Sequence, residues 1–355
     1  MSNVCKIIVI VGPTASGKSA LALRLAKLAQ GKRFQKKYGV RGAEIISADS
    51  RQVYRGLNIG TGKIPGKWQI TNRKEQKVHG KKIFMYRGVK HHLIDFADPR
   101  RQFTVAEFQK KAGATIHKLF ALGHLPIICG GTGLYIDALL YNYHLPRVKP
   151  NWVLRRALEK KSVAELFAQL QKLDPVRAAA IDRHNPRRLV RALEIVLVTR
   201  KPVPALLSLP FLIRAPARRS FNEGGNRKIG GHACSILKIG IHLPDATLKQ
   251  NIHARLLARM RKGLIAEVAR LKNPPTGGGL SSKRLESLGL EYRYVNRYLE
   301  DALTKSEMLA QLETEIWRYA KRQMTWFKRD KEIRWVQSRH EIKQLVSECI
   351  KGKRS

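Results

Sequence analysis

Ile7-Ile8-Val9-Ile10-Val11-Gly12-Pro13-Thr14-Ala15-Ser16-Gly17-Lys18-Ser19 is the stretch that decides the fold of this 355-residue chain. Its first five residues are apolar and β-branched, which reads as a short buried strand. Gly12 to Ser19 fits G-x-x-x-x-G-K-[ST] at every fixed position. Ser19 to Gln30 follows with helix formers such as Ala20, Leu21, Ala22 and Leu25. Strand, glycine-rich loop and helix in that order aim backbone N–H groups and a helix N-terminus at a phosphate. Gly12, Pro13, Thr14, Ala15, Ser16, Gly17, Lys18 and Ser19 are therefore expected to cradle a di- or triphosphate. Lys18 would supply a point charge and the Ser19 hydroxyl a ligand for Mg²⁺.

Outward from the loop, strand-like and helix-like segments alternate. Ala43–Ala48 reads as a second strand, ending at Asp49. Residues 61–90 hold nine Lys or Arg and one acid, Glu75, which suits a β-hairpin or a flexible insertion better than a helix. His91–Phe96 resembles a short strand. Thr104-Val105-Ala106-Glu107 is a capping box, opening a helix that Gly123 can close. Pro126–Cys129 is another buried strand, running into the tight turn Gly130-Gly131-Thr132-Gly133 and an apolar helix from Leu134. Such βαβ alternation implies a parallel sheet with helices on both faces.

From about Pro146 the pattern becomes helical. Asn185-Pro186 reads as an N-cap with a first-turn proline. Residues 202–234 look like a loop, and Leu237–Leu243 returns to a strand. Helices are expected at about 246–272 and 305–328. The second carries Leu309, Leu312, Ile316, Tyr319, Gln323, Met324 and Phe327 as a mostly core-facing stripe.

Charge is extreme: 69 Lys+Arg against 26 Asp+Glu give a formal net charge of +43. Such a surface attracts polyanions, nucleic acid first among them, and repels copies of itself. A monomer is expected on that ground. The four cysteines, Cys5, Cys129, Cys234 and Cys349, are far apart, so neither a zinc site nor a disulfide framework is indicated. Cys129 reads as core. The first strand begins within a few residues of the N-terminus and no apolar run approaches membrane length. The expectation is a soluble cytoplasmic protein.

The phosphate loop alone does not name a reaction. Asp49 could hold a metal ion, act as a general base beside the phosphates, or cap the segment after it. A small-molecule kinase and a non-catalytic RNA-binding switch both remain open at this level. Thr132, taken alone, is a turn or N-cap residue.

A longer ordered series narrows the reading. It comprises G-P-T-A-S-G-K-S (12–19), I-S-A-D-S-R-Q-V-Y-R-G-L-N-I-G-T-G-K (46–63), H-H-L-I-D (91–95), F-T-V-A-E-F (103–108), I-C-G-G-T-G-L-Y (128–135), N-P-R-R-L-V-R-A-L-E (185–194) and Y-A-K-R-Q-M-T-W-F-K-R-D (319–330). In content and order it resembles the tRNA dimethylallyltransferases, also called tRNA isopentenyltransferases, over about residues 5–335. With no C-terminal zinc-finger pattern, the likeness is to the bacterial form. The segment between Lys63 and His91 is longer and more basic than in the shortest members.

The resemblance implies a P-loop NTPase-like α/β core with a mainly helical insertion. It implies transfer of a dimethylallyl group from dimethylallyl diphosphate to N6 of the adenosine 3′ of the tRNA anticodon, with Mg²⁺ as cofactor. Asp49 matches the family's proposed base, Thr132 a threonine near the reacting amine, and Lys18 a catalytic lysine. Arg255 matches an arginine on the diphosphate. Asp49, Ser50, Arg51, Gln52, Thr132, Arg155, Arg187, Arg188, Leu189, Val190 and Arg191 match regions that contact tRNA at the anticodon stem-loop. The expected organisation is a core in 1–145, a tRNA-facing insertion in 146–234, a return to the core in 235–340 and a basic tail in 341–355.

Overall fold

The computed structural model describes residues 5–71, 81–143, 146, 148–203, 221–222, 226–229, 232–275, 277–336 and 341. Residues 72–80, Cys349 and nearly all of the basic tail lie outside the described residues. The chain divides into two compact units, Met1–Asn142 with Phe221–Ser355, and Tyr143–Ser220.

The first unit is built on one mixed sheet. Its central strands are β1 (Cys5–Val11), β2 (Gly42–Ser47), β5 (Val89–His92), β6 (His124–Cys129) and β9 (His232–Ile241). They lie side by side as β5-β2-β6-β1-β9, all parallel. Strands rich in Ile and Val on both faces are what a doubly covered parallel sheet requires. Helix α1 (Lys18–Ala29) closes one face through Ala22, Leu25, Ala26 and Ala29, against Ile8, Ile10, Ile45 and Ile127. On the other face, α3 (Val105–Ala121) and α4 (Gly133–Leu140) pack Phe108, Ile116, Tyr135 and Leu139 with Ile7, Val9, Ile46 and Ile128. The expected P-loop-type α/β core is therefore present, and the Thr104 capping box forms with Glu107. The short α2 (Lys32–Tyr38) lies between α1 and β2.

Antiparallel pairs flank this parallel centre on both sides, while the last described strand of the chain joins β9 in parallel. β3 (Lys67–Thr71) and β4 (Lys81–Tyr86) pair with each other, and β4 pairs with β5, so the basic segment 61–90 uses the hairpin option. The strand expected over His91–Phe96 instead ends at His92. Leu93 and Asp95 take left-handed backbone conformations, with φ of 55° at each, which stops the ladder. At the far edge, β7 (Phe221–Asn222) pairs with β8 (Asn226–Ile229), and β8 with the start of β9. The end of β9 pairs with β10 (Ile333–Val336). Within the loop expected over 202–234, the described residues Phe221–Asn222, Asn226–Ile229 and those from His232 are strand, and the first unit resumes at Phe221 rather than at 235. Polar residues such as Asn222, Asn226 and Arg227 hid these short edge strands.

After β9 the described residues of this unit form α9 (Asp245–Arg261), α10 (Leu264–Lys272), α11 (Ser282–Leu288), α12 (Leu290–Leu299) and α13 (Lys305–Phe327). The helix read over 246–272 is two helices, broken at Gly263, whose φ of 88° an L-residue rarely adopts. In α13, Leu312, Ile316, Gln323 and Phe327 are buried as the stripe requires, while Tyr319 is exposed.

The second unit packs α5 (Trp152–Leu158), α6 (Val163–Leu173), α7 (Pro175–Ala180) and α8 (Pro186–Thr199). Its core is Leu158, Leu166, Leu170, Leu189, Val190, Leu193 and Val196. Asn185 caps α8 by accepting from Arg188 N, with Pro186 at the first helical position.

Candidate active site

The phosphate loop leaves β1 at Val11 and enters α1 at Lys18. Gly17 is the N-cap in a left-handed conformation, φ 86°, and Ala15 has φ 62°. Helix α1 receives no side-chain cap, so its first amides stay free for an anion. Gly130 terminates β6 against the end of β2. A Cβ there would collide with the Ala48 carbonyl, so the two strand ends that carry Asp49 and Thr132 meet only because residue 130 is glycine.

Gln323, deep on α13, joins the loop to that turn. Its Oε1 accepts from Thr14 N at 2.8 Å and its Nε2 donates to Gly131 O at 2.8 Å. The sequence stripe placed Gln323 in the core without a task. A polar residue at a core position of an amphipathic helix was the signal. Gln323→Leu would leave both backbone groups buried and unpaired, at about 1–3 kcal/mol each. The variant is expected to melt several degrees lower and to bind diphosphates more weakly, checked by thermal melting and calorimetric titration.

The loop opens on a cleft of about 880 Å³. It is lined by Gly17, Lys18 and Ser19 from the loop, Lys63 and Asp95 beyond β2, and Asn251, Arg255, Arg259 and Lys262 from α9 and its C-terminus. Residues 255, 259 and 262 lie at i, i+4 and i+7 on one helical face, so α9 presents three cations to the loop. Sequence reading found Arg255 but missed Arg259 and Lys262, although that spacing was visible.

Arg255 Nη1 donates to Thr14 Oγ1 at 3.3 Å. Burial pulls Arg255 down to about 10, and the neighbouring Arg259 pushes the same way. Burial likewise lowers Lys18 to about 8, with Arg255 adding to the effect against the pull of Cys129 and Asp49. Lys18 Nζ donates to Pro13 O at 2.9 Å. Arg259 is paired with Glu291, yet its Nε and the buried Ser16 Oγ have no hydrogen-bond partner. The cleft is a crowd of partly desolvated cations and unused polar atoms, the arrangement an anion would relieve.

Its far wall is fixed by an acid the sequence reading did not single out. Glu267 on α10 accepts from the backbone N–H groups of Asn58, Ile59 and Gly60 at 2.8–3.0 Å and from Tyr292 Oη at 2.8 Å. Lys63 in turn donates to Tyr54 O, Asn58 Oδ1 and Asp95 Oδ1.

Asp49 and Thr132 are brought together at the adjoining ends of β2 and β6. Thr132 Oγ1 accepts from Ser50 N at 3.0 Å and donates to Ser50 Oγ at 3.3 Å. Thr132 stands at the N-cap of α4 without capping it, so its hydroxyl serves the Asp49 segment instead. Asp49 Oδ1 accepts from Arg51 N at 2.8 Å and Gln52 N at 3.2 Å. The carboxylate therefore does shape the following turn, and among the described residues no hydrogen bond reaches Oδ2. Arg51 Nη1 donates to Ser287 O, and Gln52 Nε2 reaches Thr61 O and Gly62 O, so both side chains are anchored inside the unit. Cys129 is buried, with its thiol pushed up to about 11 by that burial, as suits a core residue.

In the second unit, Arg187 and Arg188 are exposed on α8. Arg155 and Arg191 both pair with the buried Glu194. Leu189 and Val190 are corrected: they are 0% and 6% exposed, inside this unit's core, because α8 turns their positions inward. They cannot contact tRNA through their side chains.

A model of the IPP transferase family matches residues 52–330. The chain belongs to the IPP transferase family. The chain is similar to a tRNA dimethylallyltransferase of Carboxydothermus hydrogenoformans, 35% identical, with 97% of this chain and 96% of that one covered. One from Treponema pallidum is 38% identical, covering 91% and 86%. Among solved structures, the full-length tRNA isopentenylpyrophosphate transferase of Bacillus halodurans is 30% identical, covering 98% and 96%, with a TM-score of 0.60. Among the described residues, no helix is long and apolar enough to cross a membrane.

Proposed function

We propose that this chain transfers a dimethylallyl group from dimethylallyl diphosphate to N6 of the adenosine 3′ of the anticodon in tRNA, releasing diphosphate. The observation that carries the proposal is the cation-crowded cleft at the phosphate loop, with Asp49 close enough to act electrostatically on both Lys18 and Arg255, and with the turn that carries Thr132 passing beside Lys18 at Gly131. The cleft is suited to a leaving diphosphate and the Asp49–Thr132 pair to an incoming amine.

The N6 lone pair is delocalised into the adenine ring, so the amine is a weak nucleophile. As N6 attacks C1 of the dimethylallyl group, the C1–O bond breaks and its electrons leave with the diphosphate. The N6 proton passes to Asp49 Oδ2. Thr132 holds the Asp49 segment through Ser50 N and supplies a hydroxyl near the amine. Lys18, Arg255 and the α1 amides stabilise the charge growing on the diphosphate. The Ser19 hydroxyl, at the first turn of α1 and in the cleft wall, would hold a Mg²⁺ beside the diphosphate. When bound, the ion supplies further neutralisation of the leaving group. Arg187, Arg188 and the overall charge suit the anticodon stem-loop. The same charge favours a monomer.

Diphosphate release should depend on unmodified tRNA and proceed without ATP consumption. ATP turnover with no need for tRNA would point to a kinase instead.

The Lys18 position gives a pH signature. The diphosphate needs the ammonium form, and the free side chain loses its proton near pH 8. Between about pH 7, where the diphosphate has lost its last proton, and that pH the affinity is expected to be level. Above it, the affinity is expected to weaken by about tenfold per pH unit, because binding must first restore the proton. Lys18→Arg should remove the break, since guanidinium stays charged. Calorimetry with dimethylallyl diphosphate from pH 6 to 9.5 measures both.

A further inference from the structure

Trp152, the first residue of α5, is 59% exposed, and Val153 beside it is 74% exposed. A side chain of that size is normally used to bury area. Trp152 takes no part in the second unit's core, which closes without it. Its ring is nevertheless held. The Arg155 guanidinium lies over one face, with its central carbon 5.2 Å from the ring centroid.

That guanidinium cannot swing freely. Arg155 Nε and Nη2 donate to the two oxygens of Glu194 at 2.8 Å each. Glu194 is 0% exposed. Burial alone would raise its carboxyl, but the bonds from Arg155 and Arg191 hold it below the ordinary range, so it stays an anion. The same carboxylate accepts from Asn151 N at 2.7 Å. Asn151 is the N-cap of α5 and accepts from Leu154 N at 3.1 Å. One buried acid therefore fixes both the cation over the ring and the start of the helix that carries the ring.

The surroundings select the occupant. Residues 143–220 contain 17 Lys or Arg and five Asp or Glu, a net +12. Arg156, whose Nε donates to Trp152 O at 3.3 Å, and Lys149, three residues before Trp152 in the chain, are exposed. An aromatic face held against a fixed guanidinium in a strongly cationic unit suits a flat, electron-rich group joined to phosphates. Unpaired RNA bases are recognised in this way, by stacking on aromatic and guanidinium planes. We propose that Trp152 is a stacking platform for an unpaired nucleobase of the tRNA substrate, with Arg155 and Glu194 as the residues that position it. The inference rests on the tRNA reading above and adds a specific contact to it.

The test compares Trp152→Ala and Trp152→Phe with the unaltered chain in steady-state prenyl transfer to an unmodified tRNA. Trp152→Ala is expected to raise KM for tRNA about tenfold, with the effect on KM rather than on kcat or on KM for dimethylallyl diphosphate. Trp152→Phe should recover most of the loss. An anticodon stem-loop carrying 2-aminopurine in its loop reports stacking directly. Its fluorescence should be quenched by the unaltered chain and less by Trp152→Ala. An unchanged KM for tRNA and unchanged quenching in Trp152→Ala, as expected if Trp152 serves a protein contact, would overturn the platform while leaving the transferase reading intact. Absence of transfer by the unaltered chain would overturn the tRNA reading itself.

Discussion

Asp49→Asn is expected to lower kcat for prenyl transfer by about 10³-fold while leaving dimethylallyl diphosphate binding unchanged. Asparagine keeps an oxygen that can accept from Arg51 N and Gln52 N, so the turn after β2 survives. What it loses is the capacity to take the N6 proton, and a positioned base contributes about 10²–10⁴-fold. Asp49→Ala removes the turn acceptor as well and should be no more active, with a lower melting temperature. Single-turnover rates with preformed enzyme–tRNA complex separate the chemical step from binding. If Asp49→Asn stayed within a few-fold of the unaltered chain, Asp49 would be a turn residue only.

Arg255→Ala carries the second large effect, and its sign should differ between binding and stability. Arg255 lies on the same face of α9 as Arg259, and burial with that like charge already destabilises its cation. Removing it should lose about 3–4 kcal/mol of stabilisation of the departing diphosphate, on the order of 10²–10³ in turnover. The ligand-free protein should melt at the same temperature or higher, because the repulsion with Arg259 is relieved and only a 3.3 Å bond to Thr14 Oγ1 is lost. A cationic cleft assembled against its own electrostatics is a stability–activity trade-off. Arg255→Lys should restore part of the rate, since lysine lacks the two-pronged donor geometry. Melting with and without inorganic diphosphate, alongside turnover, reads both effects. A large loss of ligand-free stability in Arg255→Ala would mean that the residue is structural.

Much of the site was legible because its chemistry is local. The phosphate loop, Asp49 after its strand and Thr132 in the Gly130–Gly133 turn are each fixed by a few consecutive residues. The central strands were legible for the same reason, since unbroken Ile and Val runs suit only a sheet covered on both faces. What stayed hidden depends on residues far apart in the chain. Gln323 lies 309 positions from Thr14, which it holds. Glu267 organises amides 207–209 positions away. Nothing near either residue marks its partner. The edge strands β7 and β8 were hidden by polar sequence, because strand formation there comes from pairing rather than from burial. Leu189 and Val190 show the opposite failure. A motif carried by likeness names a stretch, whereas helical periodicity decides which of its members face outward. Arg187 and Arg188 do, while the two apolar residues after them close a core.

The most direct test of the central claim is mass spectrometry of nucleosides from an unmodified tRNA with adenosine 3′ of its anticodon, after incubation with the protein, Mg²⁺ and dimethylallyl diphosphate. The expected result is one adenosine per tRNA heavier by a single C5H8 unit, at that position, with one diphosphate released per adenosine changed. An unchanged nucleoside profile, with ATP hydrolysed or a small molecule phosphorylated by the same protein, would contradict it.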